Sequence, residues 1–384
     1  MQNFTFHNPT RILFGQGRIA DIAREIPAGA RVLITYGGGS VVKTGTLDEV
    51  KAALKDFTVF EFAGIEPNPT YETLMRAVEL ARREQIDFLL AVGGGSVIDG
   101  TKFIAAAIPF AGEPWDILAK QAEIKRAVPF GSVLTLPATG SEMNNFSVVS
   151  RRASNDKLAF SSPLVFPLFS VLDPGKTFTL PPRQVANGVV DAFVHITEQY
   201  LTYPADAKVQ DRFAEGLLLT LIEEGPRALQ EPENYEVRAN LMWTATLALN
   251  GLIGAGVPQD WATHMLGHEL TALHGLDHAQ TLAILLPAML QVCRHEKREK
   301  LLQYADRVWD IREGTPDERI NLAISHTRQF FESLQVPTLL SDYGIGAEAI
   351  PALVAQLERH GLTALGEHQT LDIKRSQRVY ELAV

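Results

Sequence analysis

Two stretches of the chain repeat one pattern. RVLITYGGGS (31–40) and DFLLAVGGGS (87–96) each carry an apolar run into Gly-Gly-Gly-Ser, and a segment of helical spacing follows each. A short continuous apolar run closed by glycines reads as a strand buried on both faces, the condition of a parallel sheet. TVFEFAG (58–64) and PFGSVLTLPATGSE (129–142) are strand-like as well, and LDEVKAALKD (47–56) and YETLMRAVELARREQ (71–85) have helical spacing between them. Strands alternating with helices predict an α/β domain on a mainly parallel sheet.

The glycine turns also bear on function. Glycine lets the backbone approach a phosphate closely, and the helix that follows offers free N–H donors and a positive dipole end. A turn of this kind also serves as a plain βα connection. What favours a ligand is the occurrence of two of them at strand ends, where α/β sheets bind ligands. Neither turn is GxGxxG and no GxxxxGK[ST] occurs, so neither the ordinary dinucleotide fingerprint nor a P-loop is present. Asp99, three residues past the second turn, either faces the ligand or complements the helix dipole. The stretch 36–43 has no acidic residue to bond a ribose 2′-hydroxyl; with Ser40 and Lys43 nearby it leaves room for NADP.

From about Pro182 the pattern changes to helical almost throughout, and the prolines of LPPRQ mark the boundary. The expected division of the 384 residues is an α/β dinucleotide-binding domain at 1–181 and an all-helical domain at 182–384 carrying a metal and substrate.

HMLGHELTALHGLDH (264–278) holds four of the ten histidines of the chain. His264 and His268 are four residues apart and share a helix face; His274 and His278 repeat the spacing beyond a possible break at Gly275. Asp191 and His195 form another such pair in NGVVDAFVHITEQ. A carboxylate and imidazoles from separate helices can close around one divalent cation, and a set without thiolate suits Zn²⁺ or Fe²⁺. Any one of these histidines alone is an ordinary core or surface residue, and spacing does not say which of His264, His268, His274 and His278 are ligands.

Composition narrows the partners. The formal net charge of −10 argues against nucleic acid or an anionic membrane as the main partner. Cys293 is the only cysteine, so no internal disulfide and no thiolate metal site can form, which accords with a cytoplasmic location. No signal-peptide pattern and no apolar run long enough to span a bilayer is recognised.

The segments GGGSVIDGTK (93–102), TLPATGSE (135–142), NGVVDAFVHITEQY (187–200) and HMLGHELTALHGLDHA (264–279) together resemble the iron-containing, or group III, alcohol dehydrogenase family. The resemblance covers essentially the whole chain. ITYGGGSVVKTG, IEPNP, LPPRQVANGVVDAFVH and GVPQDWATHMLGHEL are similar to its branch of NADPH-dependent broad-range aldehyde reductases and butanol dehydrogenase-like enzymes. It implies a dehydroquinate synthase-like fold: an N-terminal dinucleotide-binding domain, a C-terminal helical domain and a deep cleft between them. It places one divalent metal on Asp191, His195, His264 and His278, and His268 near the nicotinamide. It places the NADP(H) pyrophosphate on Gly94, Gly95 and Ser96. Asp99, Thr135, Thr139 and Lys157 would line the rest of the cofactor site, with Asn68 at the adenosine end, Gly38 and Ser40 near the 2′-phosphate, and Asn144 a further cofactor or substrate contact. His274 falls outside the family pattern and Cys293 has no assigned role.

The reaction so implied is hydride transfer from NADPH to short- and medium-chain aldehydes, giving primary alcohols, in a homodimer that acts on small molecules. Two alternatives are a lyase related to dehydroquinate synthase that uses its nicotinamide transiently, and a non-catalytic metal- or nucleotide-binding protein. The D-x3-H and HMLGHEL patterns fit the dehydrogenases better than the lyase, and a binding protein predicts a closed metal site with no turnover of any aldehyde.

Overall fold

The computed structural model describes all 384 residues, Met1–Val384. In chain order the strands are β1 (Arg11–Phe14), β2 (Arg31–Tyr36), β3 (Thr58–Phe62), β4 (Phe88–Gly94), β5 (Phe130–Leu136), β6 (Phe146–Arg151), β7 (Asp156–Ser161) and β8 (Phe169–Leu172). Helices α1 (Ser40–Lys43), α2 (Thr46–Ala53), α3 (Tyr71–Arg83), α4 (Gly95–Ala107) and α5 (Asp116–Ala119) lie among them. The helices that follow are α6 (Pro182–Tyr200), α7 (Lys208–Gln230), α8 (Tyr235–Ala248), α9 (Ala262–His274), α10 (His278–Val292), α11 (Arg298–Arg307), α12 (Pro316–Ser333), α13 (Ile350–Arg359) and α14 (Ile373–Leu382).

The apolar runs become strands because nothing in them needs water. Val32 to Tyr36 and Phe88 to Val92 are all buried, and each fully buried aliphatic side chain contributes roughly 1.5–3 kcal/mol over its exposed state. The main sheet has six strands in the order β1-β8-β5-β4-β2-β3, parallel throughout. One face is covered around Leu74, Ile98, Phe103 and Leu134, the other around Ile22, Val50, Phe88 and Phe169.

This strand order puts the two glycine turns side by side. The chain passes from β3 back across β2 to β4, so β2 and β4 are neighbours, with Tyr36 opposite Val92. Both turns therefore leave the carboxyl ends of adjacent strands at the point where the winding reverses, the usual crevice for a ligand in such a sheet.

Two compact units divide the chain: His7–Leu180 with Pro232–Thr246, and Met1–Phe6 with Pro181–Glu231 and Leu247–Val384. A single boundary at 181/182 omits two excursions. Met242 on α8 is buried with Leu74 and Phe103, and the Thr246 hydroxyl donates to the Glu142 carboxylate at 2.5 Å, which ties that segment to the sheet unit. The other unit is helical but for one antiparallel pair of two-residue strands, Ala364–Leu365 with Leu371–Asp372, too short to leave a periodic signal. Its core gathers α9, α10, α13 and α14 around Leu266, Leu270, Leu285, Leu353 and Tyr380. The antiparallel hairpin of β6 and β7 was also not anticipated from the sequence.

Candidate metal centre and cofactor site

Three helices supply the histidine cluster. Asp191 and His195 stand one turn apart on α6, where fifteen of nineteen residues are buried, so both are held inside. His264 and His268 lie on α9. That helix ends at His274, and Gly275 takes the left-handed conformation (φ 69°) that glycine adopts without strain. The chain then turns and His278 opens α10 behind a capping box of Asp277 and Gln280. Asp277 is itself fixed by Arg183 at 3.1 Å and by the Asn187 amide at 2.9 Å. The break at Gly275 thus places His264 and His278 on different helices that return to one point.

Asp191, His195, His264 and His278 each offer one ligand atom, and these lie within 4.8 Å of one another. The Nε2 atoms of His195, His264 and His278 are 3.7, 4.0 and 3.5 Å from Asp191 Oδ1. Those distances are long for hydrogen bonds but near the roughly 3.4 Å between two ligands bound tetrahedrally at ~2.1 Å. His264 Nε2 is buried and has no hydrogen-bond partner; a buried polar atom left so costs ~1–3 kcal/mol unless something occupies the space. Burial first, and the neighbouring His264 second, hold His195 well below the ordinary histidine range. It is therefore neutral, the form that ligates. The donor set fits a divalent cation.

His268 stays outside the four. Its ring lies 5.7 Å from that of His278, centroid to centroid, and the residue is buried. His274 is exposed at the end of α9, so it does not line the cluster. Cys293 is buried among aliphatic residues, and burial pushes its thiol up to about 12, which makes it inert.

In the sheet unit the two GGGS turns differ despite identical sequence. In the first, three glycines connect β2 to a one-turn helix, and Gly39 is left-handed (φ 102°). Gly38 and Ser40 are exposed, and a Cβ on Gly38 would meet nothing within 4 Å. In the second, β4 runs to Gly94 through a register shift and α4 starts at once at Gly95. Here the glycines are required by packing. A Cβ on Gly94 would fall 3.0 Å from Leu136 Cβ, and one on Gly95 only 2.3 Å from Thr139 Oγ1. The free N–H groups of α4 at Gly95 and Ser96 are thus flanked by Thr139, with Thr135 on β5 nearby in sequence. Asn68 (φ 53°) accepts from Lys157 at 3.0 Å, so those two expected contacts do meet.

Asp99 and Asn144 are differently employed. Asp99 accepts from the Ser141 hydroxyl at 2.5 Å and the Val148 N–H at 3.0 Å. The Asn144 amide donates to the carbonyls of Thr139 and Gly140 (3.4 and 2.9 Å) and accepts from Lys102 and the Phe146 N–H (2.8 and 3.0 Å). The hydrogen-bonding capacity of its side-chain amide is taken up inside the protein.

Comparison with known proteins settles the family. The sequence model of the iron-containing alcohol dehydrogenase family matches residues 9–174, and that of its C-terminal domain matches residues 185–370. The chain belongs to the iron-containing alcohol dehydrogenase family. It is 67% identical to the NADPH-dependent aldehyde reductase YqhD of Escherichia coli strain K12, over the full length of both chains. It is 43% identical to a probable NADH-dependent butanol dehydrogenase 1 of Bacillus subtilis, over 97% of each chain. The crystal structure of YqhD superposes with a TM-score of 0.99 at 66% identity, covering 100% of this chain and 99% of that one.

Spacing alone did not single out Glu198. Its carboxylate bonds Nδ1 of His264 and accepts the Thr263 N–H at 2.7 Å. The signal was present: 191, 195 and 198 fall on one face of α6. A carboxylate on the far nitrogen fixes a ligating imidazole in orientation and tautomer, and its loss typically weakens metal binding 10–100-fold. Glu198→Gln is expected to lower the affinity for Zn²⁺ by about that factor while the fold stays intact. Competition with a chromophoric chelator checks this, and wild-type affinity in the variant rejects it.

Proposed function

We propose that the chain is a metal-dependent oxidoreductase that transfers hydride from NADPH to short- and medium-chain aldehydes, reversibly forming primary alcohols. The observation that carries the reading is the buried cluster of Asp191, His195, His264 and His278, with His264 Nε2 4.0 Å from Asp191 and without a hydrogen-bond partner. The printed activity of the E. coli relative supports the substrate class and cofactor.

The residues divide the work as follows. Asp191, His195, His264 and His278 would hold one divalent cation, Zn²⁺ or Fe²⁺, which when bound supplies Lewis acidity toward a carbonyl oxygen. Glu198 keeps the Nε2 lone pair of His264 turned inward. Gly94, Gly95 and Ser96 would receive the pyrophosphate of NADP(H) at the α4 N-terminus. Thr135, Thr139, Asn68 and Lys157 would line the remainder of that site. Gly38 and Ser40 leave open, uncharged backbone for a 2′-phosphate, which supports NADPH over NADH. His268, beside His278, is assigned proton handling.

The protein is further read as a cytoplasmic homodimer. No helix is long and apolar enough to cross a membrane. Strand β1 is a sheet edge, and Phe14 on it is exposed against Trp243, as suits pairing with a second copy. Light scattering should give about twice the 42.2 kDa chain mass; a monomer overturns the assignment.

The deciding experiment is the initial rate of NADPH oxidation with butanal, run beside NADH and repeated after chelation. Fast, metal-dependent turnover with NADPH is the expected result. Preference for NADH would overturn the cofactor assignment alone. No net NADPH consumption by metal-loaded protein with any aldehyde would reject the reductase.

A further inference from the structure

Lys102 is fully buried in the sheet unit, on α4, two turns from the glycines that open that helix. Lysine is almost never found there without a reason, because its charge loses hydration. Its ammonium donates to Asn144 Oδ1 and to the Phe146 carbonyl, each at 2.8 Å. Burial pulls it down to about 8, against the opposing pull of two carboxylates, Asp99 and Glu142. Both acids are pushed up by burial, and the nearby Lys102 opposes that shift in each.

The bonds beyond Lys102 lead to the cofactor turn. Asn144, held by its oxygen, uses its NH₂ on the carbonyls of Thr139 and Gly140. Thr139 lies against Gly95, so near that Gly95 could carry no side chain. Asp99, one turn before Lys102 on α4, grips the same loop through Ser141, Val148 and the Ser147 hydroxyl. Helix α4 and the loop 139–148 are thereby held at one separation, and that separation fixes how Thr139 faces the N–H groups at Gly95 and Ser96.

We propose that Lys102 is a positioning residue for the cofactor: through Asn144 it holds Thr139 against the Gly94–Ser96 turn and sets its affinity for NADPH. The proposal rests on the reading of that turn as the pyrophosphate site. The hydrogen bonds of Lys102, to Asn144 and Phe146, and its charged neighbours Asp99 and Glu142 all lie within the sheet unit.

The test is titration of NADPH fluorescence with metal-loaded wild type, Lys102→Met and Lys102→Gln, with fold checked by circular dichroism and melting. Methionine keeps the volume and removes the charge and donors; glutamine restores a donor. The expected result is a Kd for NADPH raised 10-fold or more in Lys102→Met and by less in Lys102→Gln. Metal content and the KM for butanal should stay within two-fold of wild type. A purely structural lysine would lower the melting temperature and leave the Kd of the folded protein unchanged. Folded Lys102→Met with wild-type affinity therefore overturns the proposal. If that variant does not fold, Lys102→Gln decides by the same criterion, a rise of three-fold or more being required. A wild-type chain that binds no NADPH removes the pyrophosphate reading and the proposal together, an outcome distinct from loss of the positioning role alone.

Discussion

His264→Ala should reduce butanal turnover by at least about 10³-fold while leaving NADPH binding near wild type. Lewis-acid stabilisation of a developing alkoxide is worth several kcal/mol, and about 4 kcal/mol corresponds to that factor. The loss is expected to exceed that of one ligand among four, for two reasons. The remaining Asp191, His195 and His278 come from α6 and α10 alone, so α9 no longer ties into the cluster. Glu198 also loses the imidazole it orients and is left as a nearly buried carboxylate, which itself disfavours the site. NADPH affinity is expected to hold because the residues assigned to the pyrophosphate, adenosine and 2′-phosphate, from Gly38 to Lys157, lie in the other unit. The check pairs steady-state rates with NADPH titration and metal analysis of the same preparation. Metal-free His264→Ala that reduced aldehyde at the wild-type rate would sink the metal's role. Loss of NADPH binding would mean that the variant had unfolded or that the units are not independent in this respect.

What the sequence disclosed, and what it withheld, follows from how each feature is encoded. The cluster was visible because Asp191 and His195 record a shared helix face as a four-residue spacing and because four of the ten histidines crowd into 264–278; the spacing did not separate His264 and His278 from His268 and His274. The doubling of the GGGS turn was visible because buried parallel strands must be apolar from end to end. Its divergence was not. Identical glycines make a loose connection with open space at Gly38 and a packed strand-to-helix junction at Gly95, and the difference lies in Leu136 and Thr139 across the sheet. Asp99 illustrates the same limit: its position past the turn did not disclose that its oxygens also accept from Ser141 and Val148, far along the chain. Glu142, Lys102 and Lys297 were invisible as buried groups, because a charged residue in sequence defaults to the surface and its partner lies far along the chain. The four-residue strands β1 and β8 are shorter than any periodicity can resolve.

Lys297→Met is expected to destabilise the helical unit by about 3–5 kcal/mol, the usual cost of leaving a buried charge without its partner, against a total stability of order 5–15 kcal/mol. The lysine is 2% exposed and spends its three donors on Asp260 at 2.9 Å, Glu367 at 2.8 Å and the Leu201 carbonyl at 2.7 Å. Asp260 and Glu367 would remain as two unpaired carboxylates in the core. The two acids, with direct bonds, outweigh the effect of burial and hold Lys297 above the ordinary lysine value. Its folded pKa therefore exceeds its unfolded one. The contribution is complete below about pH 10.5 and is lost only as the pH climbs through the folded value. Urea unfolding at pH 7 measures the deficit, and a variant within 1 kcal/mol of wild type there would show that the triad is inert. The damage should reach the metal as well. Asp260 caps the first turn of α9 through the Ala262 N–H at 2.8 Å and gives its own N–H to the Glu198 carbonyl at 2.9 Å. Lys297 thus anchors the start of the helix that carries His264, and weaker Zn²⁺ retention in the folded variant is the expected sign that core charge and site geometry are joined.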